Sequence, residues 1–231
     1  MVDELKQYPM PFTRLELAIL SIVEGRLAVL LGKRTGRPYA GQWALPGAVL
    51  RIDLDRDLEG AAQRIAEERL NTGLPFLRQL CAVGGKGRDP RAPWALSLVY
   101  RALLPSDAFA PRPGKRLDEL VWRPVEEAMA DRTMAFDHAA LIRQAVESTR
   151  TEIRRLDLPQ GFLPESFTLG ELQATCEQIL GERLDKSSFR RKIDQQHLVE
   201  EVPGEMRTGA FRPAALYRLA AHSWPDQRPR E

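Results

Sequence analysis

Gly41-Gln-Trp43-Ala-Leu-Pro46-Gly47, then a loop, then Leu58-Glu-Gly-Ala61-Ala62-Gln-Arg64 is the stretch on which the fold turns. A Pro-Gly pair ends an apolar run, and Leu58, Ala61, Ala62 and Ile65 recur at helical spacing. The pattern predicts a strand, a turn and an amphipathic helix over Leu58–Leu70. Upstream, Leu15–Val23 and Arg26–Leu31 are two apolar runs joined at Glu24-Gly25, the mark of a hairpin. Downstream, Leu80–Val83 and Trp94–Leu104 continue as strands, and Ser106–Arg116, with its prolines and glycine, reads as a surface loop. The first two thirds are therefore mixed α/β.

The last third changes character. Asp137 is placed to cap a helix from about His138 to Arg155, and Leu158-Pro159-Gln160-Gly161 breaks it. Thr168-Leu-Gly-Glu171 has the form of a capping box, with Leu169, Leu172, Cys176, Ile179 and Leu180 as the apolar stripe behind it. Gly181 stops that helix, and Asp185 caps a second, Lys186–Gln196. Leu198–Val202, a Pro203-Gly204 turn and a strand near Ala215–Leu219 complete the order of a winged helix-turn-helix.

Composition excludes several classes. The 231 residues carry 34 Lys+Arg against 32 Asp+Glu, a net charge of +2, with 43% hydrophobic and 29% charged residues. Neither disorder nor a coiled-coil rod fits those proportions. No apolar run reaches the roughly 18–20 residues needed to span a bilayer, and the start MVDELKQYPM is no signal peptide. Cys81 and Cys176 are isolated, so the expected compartment is the reducing cytoplasm, without disulfide or Cys-based zinc. His138, His197 and His222 lack metal-ligand spacing, and His138 beside Asp137 reads as a cap-region residue rather than a base. There is no Walker A loop and no serine elbow.

The Gly41–Gly47 segment with its following helix resembles the Nudix domain family, whose signature is G-x5-E-x7-R-E-U-x-E-E-x-G-U, U being bulky and apolar. In that family the glutamates hold divalent cations against a pyrophosphate. With Gly47 as the box glycine and Arg64 as its arginine, the loop is three residues longer than the signature. The first glutamate falls on Arg56 counting back, or on Asp53 counting forward. The glutamate after the arginine becomes Ile65, and the Glu-Glu pair becomes Glu68-Arg69. Sliding the register to make Glu67-Glu68 the pair forfeits the arginine. One acid with a fixed cation is a poor seat for Mg²⁺, so the expectation is no catalysis, no metal and no cofactor. Arg64 and Glu68 would instead brace the helix.

Arg88-Asp89-Pro90-Arg91 and the strand Trp94–Ala102 with Ser97 and Tyr100 resemble the R-D-P-R-G and S-x-x-Y segments of Nudix-related transcriptional regulators of the NrtR type. Ala92 and Ala48 stand where those patterns carry glycine. The resemblance implies an α+β chain: a Nudix-like α/β/α sandwich at 1–145, a linking helix at about 138–155, and a winged helix-turn-helix at 156–231. The implied ligand-binding residues are Arg34, Trp43, Gly47, Arg64, Glu68, Arg88, Asp89 and Arg91, with the arginines forking onto phosphate. Trp43 and Trp94 are candidates to stack on a base, or core residues.

On the helix after Asp185, Phe189 and Ile193 point inward while Ser187, Arg191 and Gln195 point away. Lys186, Ser188, Arg190 and Lys192 flank that outer face, and Arg207 and Arg212 sit where a wing would touch backbone. Together these are the expected DNA contacts. From Pro159 to Pro225 there are eight Lys/Arg and nine Asp/Glu, yet Lys186–Lys192 holds four cations and no acid, so the charge is focused. The Phe167–Gln173, Leu184–Lys192 and Arg212–Arg218 segments resemble the winged helix of the same regulators. That resemblance implies a homodimer on operator DNA that senses ADP-ribose or a related phosphorylated nucleotide or sugar, in control of NAD metabolism. The competing readings are an active ADP-ribose-type pyrophosphohydrolase with an accessory winged helix, and a winged helix that contacts protein.

Overall fold

The computed structural model describes residues 10–105, 109–158, 161–207 and 213–220. The chain divides into two compact units. One holds residues up to Leu20 with Val29–Ala102 and Ala110–Ala145; the other holds Ser21–Ala28, Leu103–Phe109 and the chain from Val146 on.

The first unit is built on a seven-stranded sheet. Strands β1 (Phe12–Val23), β2 (Arg26–Arg34) and β3 (Trp43–Ala44) lie side by side. On the other side of β1 come β6 (Trp94–Leu103) and β5 (Arg78–Lys86), while β4 (Gly47–Val49) pairs with β1 and β7 (Leu117–Pro124) with β2. The β1–β2 turn has Glu24 at φ 50 and Gly25 at φ 75, both left-handed, as a two-residue hairpin requires. Leu17, Ile19, Leu20, Val29 and Leu31 are fully buried. Arg14 and Glu16 break that apolar run, and both are buried too.

Helix α1 (Leu58–Leu70) starts at Asp57, whose side chain accepts from Gly60 N–H, and ends on Asn71 in the left-handed region. It buries Ala61, Ala62, Ile65, Ala66 and Leu70. The loop expected to be mere surface at Ser106–Arg116 does more. Arg112, Gly114 and Lys115 donate backbone N–H groups to the last carbonyls of α1, on Leu70, Arg69 and Glu68. Those carbonyls have no partner within a helix, and a β-carbon on Gly114 would overlap the Glu68 carbonyl. A short helix α2 (Val125–Ala130) follows β7, and α3 (His138–Arg154) carries the chain past Ala145 into residues of the second unit.

In the second unit, α4 (Leu169–Leu180) opens with the expected capping box, Thr168 and Glu171 bonding reciprocally, and closes on Gly181 at φ 74. Helix α5 (Lys186–Gln195) is capped by Asp185. Strands β8 (Val199–Arg207) and β9 (Ala214–Leu219) pair antiparallel, and Phe167 bridges to Tyr217. Pro203-Gly204 is not the hairpin turn: β8 continues to Arg207, opposite Ala214, with an irregular register between Glu201 and Met206. A proline and a glycine inside a strand mark such a bulge as readily as a turn. No helix among the described residues is long and apolar enough to cross a membrane.

Candidate functional site

Three guanidiniums gather around one ring. Arg34, Arg14 and Arg91 stand 5.0, 5.5 and 5.8 Å from the Phe136 centroid, from β2, β1 and the β5–β6 loop. Tyr39 meets the same ring edge-on at 4.7 Å. Both Tyr39 (φ 62) and Phe136 (φ 56) are held in the left-handed backbone region, which bulky side chains disfavour. Such strain collects where a side chain must be aimed.

Each arginine but one has its own carboxylate. Arg14 Nε donates to Glu16 at 2.8 Å, Arg91 Nε to Asp89 at 2.8 Å, and Arg88 forks onto Asp137 through Nε and Nη2, both 2.8 Å. Arg34 pairs with no carboxylate among the described residues; its Nε donates to the Pro38 carbonyl. Burial, then repulsion from Arg14 and Arg91, pushes its pKa down to about 10. Burial opposes ionisation of Asp89, yet its hydrogen bonds from Arg91 hold it below the usual carboxylate range. Beside this cluster lies a small cavity of about 10 Å³, room for a single water, whose lining includes Arg14, Glu16, Arg88, Asp89, Ser97 and Asp137. Over the whole cluster, four guanidiniums (Arg14, Arg34, Arg88 and Arg91) face three carboxylates (Glu16, Asp89 and Asp137), and Arg34 is the cation left over.

Glu16 and His138 both line that cavity. Glu16 is 1% exposed, and its Oε2 has no hydrogen-bond partner. His138 Nδ1 accepts the Leu45 N–H at 2.9 Å, which leaves Nε2 as the protonated nitrogen, 3.8 Å from Oε2. Burial drives the imidazole pKa down to about 4, so the ring is neutral. His138, the first residue of α3, is thus also a strap between that helix and the Leu45 backbone. Asp137 does not spend its carboxylate on the helix start, because Arg88 holds it.

The face of α1 on which the family signature carries glutamates is closed. Ile65 is fully buried, and Arg69, 8% exposed, donates to the Gly47 carbonyl at 2.9 Å and the Lys115 carbonyl at 2.7 Å. Glu68 lies between Arg64 at 3.3 Å and Lys115 at 3.8 Å. Neither Asp53 nor Arg56, the two positions counted for the first glutamate of the signature, pairs with Arg64. Asp55 takes that place, its side chain 1% exposed and in a two-point pair with Arg64. Counting along a lengthened loop could not find it. Arg56 has no part in the pair, and Asp53 is taken by Arg51. These donors do not fit a divalent cation: one glutamate under two cations, with a guanidinium beside it. Among the described residues no group of three or more His, Cys, Asp or Glu is placed to hold a metal ion.

Of the expected ligand residues, Arg34 and Arg91 share the Phe136 ring, Arg91 pairs with Asp89, Asp89 and Arg88 line the small cavity beside it, and Gly47 packs on Glu16. Arg64 and Glu68 form a separate brace. Trp43 is covered by Arg123 at 5.2 Å and Lys33 at 6.0 Å, while Trp94 is 41% exposed at the end of β6. Arg14, Glu16, Phe136 and His138 escaped the sequence reading. Charged residues inside the apolar β1 run were the available signal.

On α5 the reading of faces holds. Phe189 and Ile193 are buried; Lys186, Ser187, Arg190, Arg191, Lys192 and Gln195 are exposed, and Ser188 is half-buried. None of the four cations makes an ion pair with a described residue, and Arg191 lies near the capping Asp185. Arg207 turns back to the start of α4, with Glu171 at 3.4 Å and the Ser166 carbonyl at 3.5 Å. Arg212 lies outside the described residues.

Scaffold and sites define a Nudix domain joined to a DNA-binding winged helix. The NUDIX domain family model matches residues 13–145, and the NrtR DNA-binding winged helix domain model matches residues 159–219. The ADPR responsive transcriptional repressor NtrR of Acinetobacter baylyi is 34% identical over 96% of this chain and 88% of its own. Shewanella oneidensis NrtR complexed with a 27mer DNA superposes with a TM-score of 0.76 at 31% identity, covering 91% of this chain and 94% of that one. The NUDIX domain of the same protein complexed with ADP ribose gives 0.57 at 29% identity, over 62% and 91%. The chain belongs to the NrtR family of Nudix-related transcriptional regulators.

Proposed function

We propose that this chain is a transcriptional repressor that binds operator DNA through α5 and responds to ADP-ribose held at the arginine cluster around Phe136 in its Nudix domain. The observation that carries the reading is Arg34, a half-buried guanidinium that pairs with no carboxylate among the described residues, beside two others on one aromatic ring. Surplus positive charge in a partly desolvated cluster is relieved by an anion, and a diphosphate flanked by ribose and base supplies both charge and rings. The likeness to a repressor named as ADPR responsive, and to a NUDIX domain complexed with ADP ribose, points the same way.

The Nudix domain binds without cutting, because Arg69 and Ile65 stand where acids are needed. The working unit is a homodimer, so that paired winged helices read half-sites about 34 Å apart or a multiple of that. The domain division is that of sensor at 1–145 and DNA reader at 156–231, and the regulated process is NAD metabolism. The wing cations Arg207 and Arg212 add backbone contacts.

Titration calorimetry with ADP-ribose, followed by a gel shift on its own upstream DNA with and without ADP-ribose, tests the reading. Micromolar binding and a changed operator affinity are expected, with Arg34→Ala weakening the first. Turnover of ADP-ribose with Mg²⁺ at ordinary enzymatic rates overturns the non-catalytic part, and the absence of salt-dependent duplex binding overturns the DNA part.

A further inference from the structure

We propose that Asp137 is a built-in competitor for the effector's phosphate at Arg88, and that an anion displacing it frees its carboxylate for the first turn of α3. The proposal rests on the effector reading above and adds the step by which occupancy leaves the cluster.

Arg88 presents Nε and Nη2 to the two oxygens of Asp137, both at 2.8 Å, while Nη1 is held by Ser97 Oγ. That planar fork is the same one a phosphate takes, so carboxylate and phosphate are mutually exclusive there. The cluster's other carboxylates are not open to exchange. The side chains of Glu16 and Asp89 are 1% and 3% exposed, each tied to its own arginine, whereas that of Asp137 is 37% exposed. An arriving anion can therefore reach and replace Asp137 alone.

Asp137 has somewhere else to go. Its backbone carbonyl already accepts from Ala140 and Leu141, which places it at the start of α3. A carboxylate released on the residue that precedes the helix is free to accept from the N–H groups of the first turn, the ordinary business of an N-cap aspartate. One carboxylate thus has two exclusive uses: latching the β5–β6 loop, or capping the helix that runs on past Ala145. Around it, Ala135 N–H donates to the Trp43 carbonyl and Leu45 N–H to His138, so the latch is the ionic member of a set of ties at the start of α3. A ligand shifts an equilibrium only through a difference in what it touches in the two states, and the Arg88 fork is such a difference.

The test uses the full chain, ADP-ribose by calorimetry and operator duplex by fluorescence anisotropy. Asp137→Asn keeps shape and capping oxygen but gives up the charge. It should tighten ADP-ribose about tenfold, the worth of one charge-assisted hydrogen bond. Without ADP-ribose it should also shift operator affinity in the direction that ADP-ribose shifts the parent protein. The exchange Arg88→Asp with Asp137→Arg should restore parental operator affinity and abolish the response to ADP-ribose. Asp137→Asn that binds ADP-ribose no more tightly and leaves operator affinity unchanged overturns the latch. If the parent protein fails to bind ADP-ribose, the effector reading falls, and the latch is judged on the operator affinities of the single variant and the exchange. Should Asp137→Asn not fold, Asp137→Ser, which also retains a capping oxygen without charge, is read by the same criteria.

Discussion

The α-carbon of Gly47 rests against the carboxylate of Glu16, close enough that a β-carbon would overlap Oε2 and lie 2.7 Å from the Leu15 carbonyl. Glycine at this turn is therefore required by the neighbouring strand. The contact fixes Glu16, hence its partner Arg14, hence one guanidinium over Phe136. Gly47→Ala should cost about 1–3 kcal/mol, the usual penalty of overpacking, and should weaken ADP-ribose binding as well. An unchanged melting temperature would show that Glu16 has another position available.

His138 makes stability pH-dependent. Its folded pKa of about 4 lies below the ordinary 6.5, so the unfolded chain binds the proton first as pH falls. Stability is intact above about pH 7, declines between about 6.5 and 4, and has lost on the order of 3 kcal/mol from this group below that range. Urea unfolding from pH 7.5 to 4.5 should show the decline, and His138→Asn, whose amide oxygen also accepts from Leu45 N–H, should flatten it. Equal slopes for the two proteins would assign the effect elsewhere.

Arg69 is a structural cation, its pKa lowered chiefly by burial. Arg69→Ala leaves the Gly47 and Lys115 carbonyls without their donor and should destabilise by about 2–4 kcal/mol. It should not create hydrolysis of ADP-ribose, since Ile65 remains apolar and Glu68 remains under Arg64. Phosphate release by this variant above the parental background would mean that Arg69 alone had been suppressing a metal site.

On α5, base reading and phosphate contact separate by salt dependence. Arg191→Ala should lower operator affinity about tenfold or more and blunt discrimination at the base it reads. Lys192→Ala should weaken all sequences alike and reduce the slope of log affinity against log salt by about one. Neither should alter ADP-ribose affinity. Arg191→Ala with parental operator affinity would move the recognition surface off this helix.

The elements with strong periodicity were legible in the sequence: α1 over Leu58–Leu70, the capping box at Thr168, and the two faces of α5 match residue for residue. Local capping chemistry and burial agree there, so pattern alone suffices. The cluster was only half legible. Arg88 and Arg91 stand out because they flank a turn, but Phe136 and His138 enter from a segment nearly fifty residues away in sequence, and no local signal marks their meeting. Asp55 was missed because the loop before α1 is longer than the family spacing, and Arg64 chooses its partner in space, not by count. The extent of β8 was misjudged because Pro203-Gly204 sits in a bulge.

Helix α5 presents four bare cations on a module with almost no net charge, and this bears on how such a protein searches a chromosome. Attraction to arbitrary duplex scales with the phosphates a surface can neutralise. Confining the cations to one helix limits that background, and on the proposed reading Ser187, Arg191 and Gln195 are reserved for the correct site. Fewer molecules are then held on irrelevant sequence, and an operator can be kept occupied at low copy number.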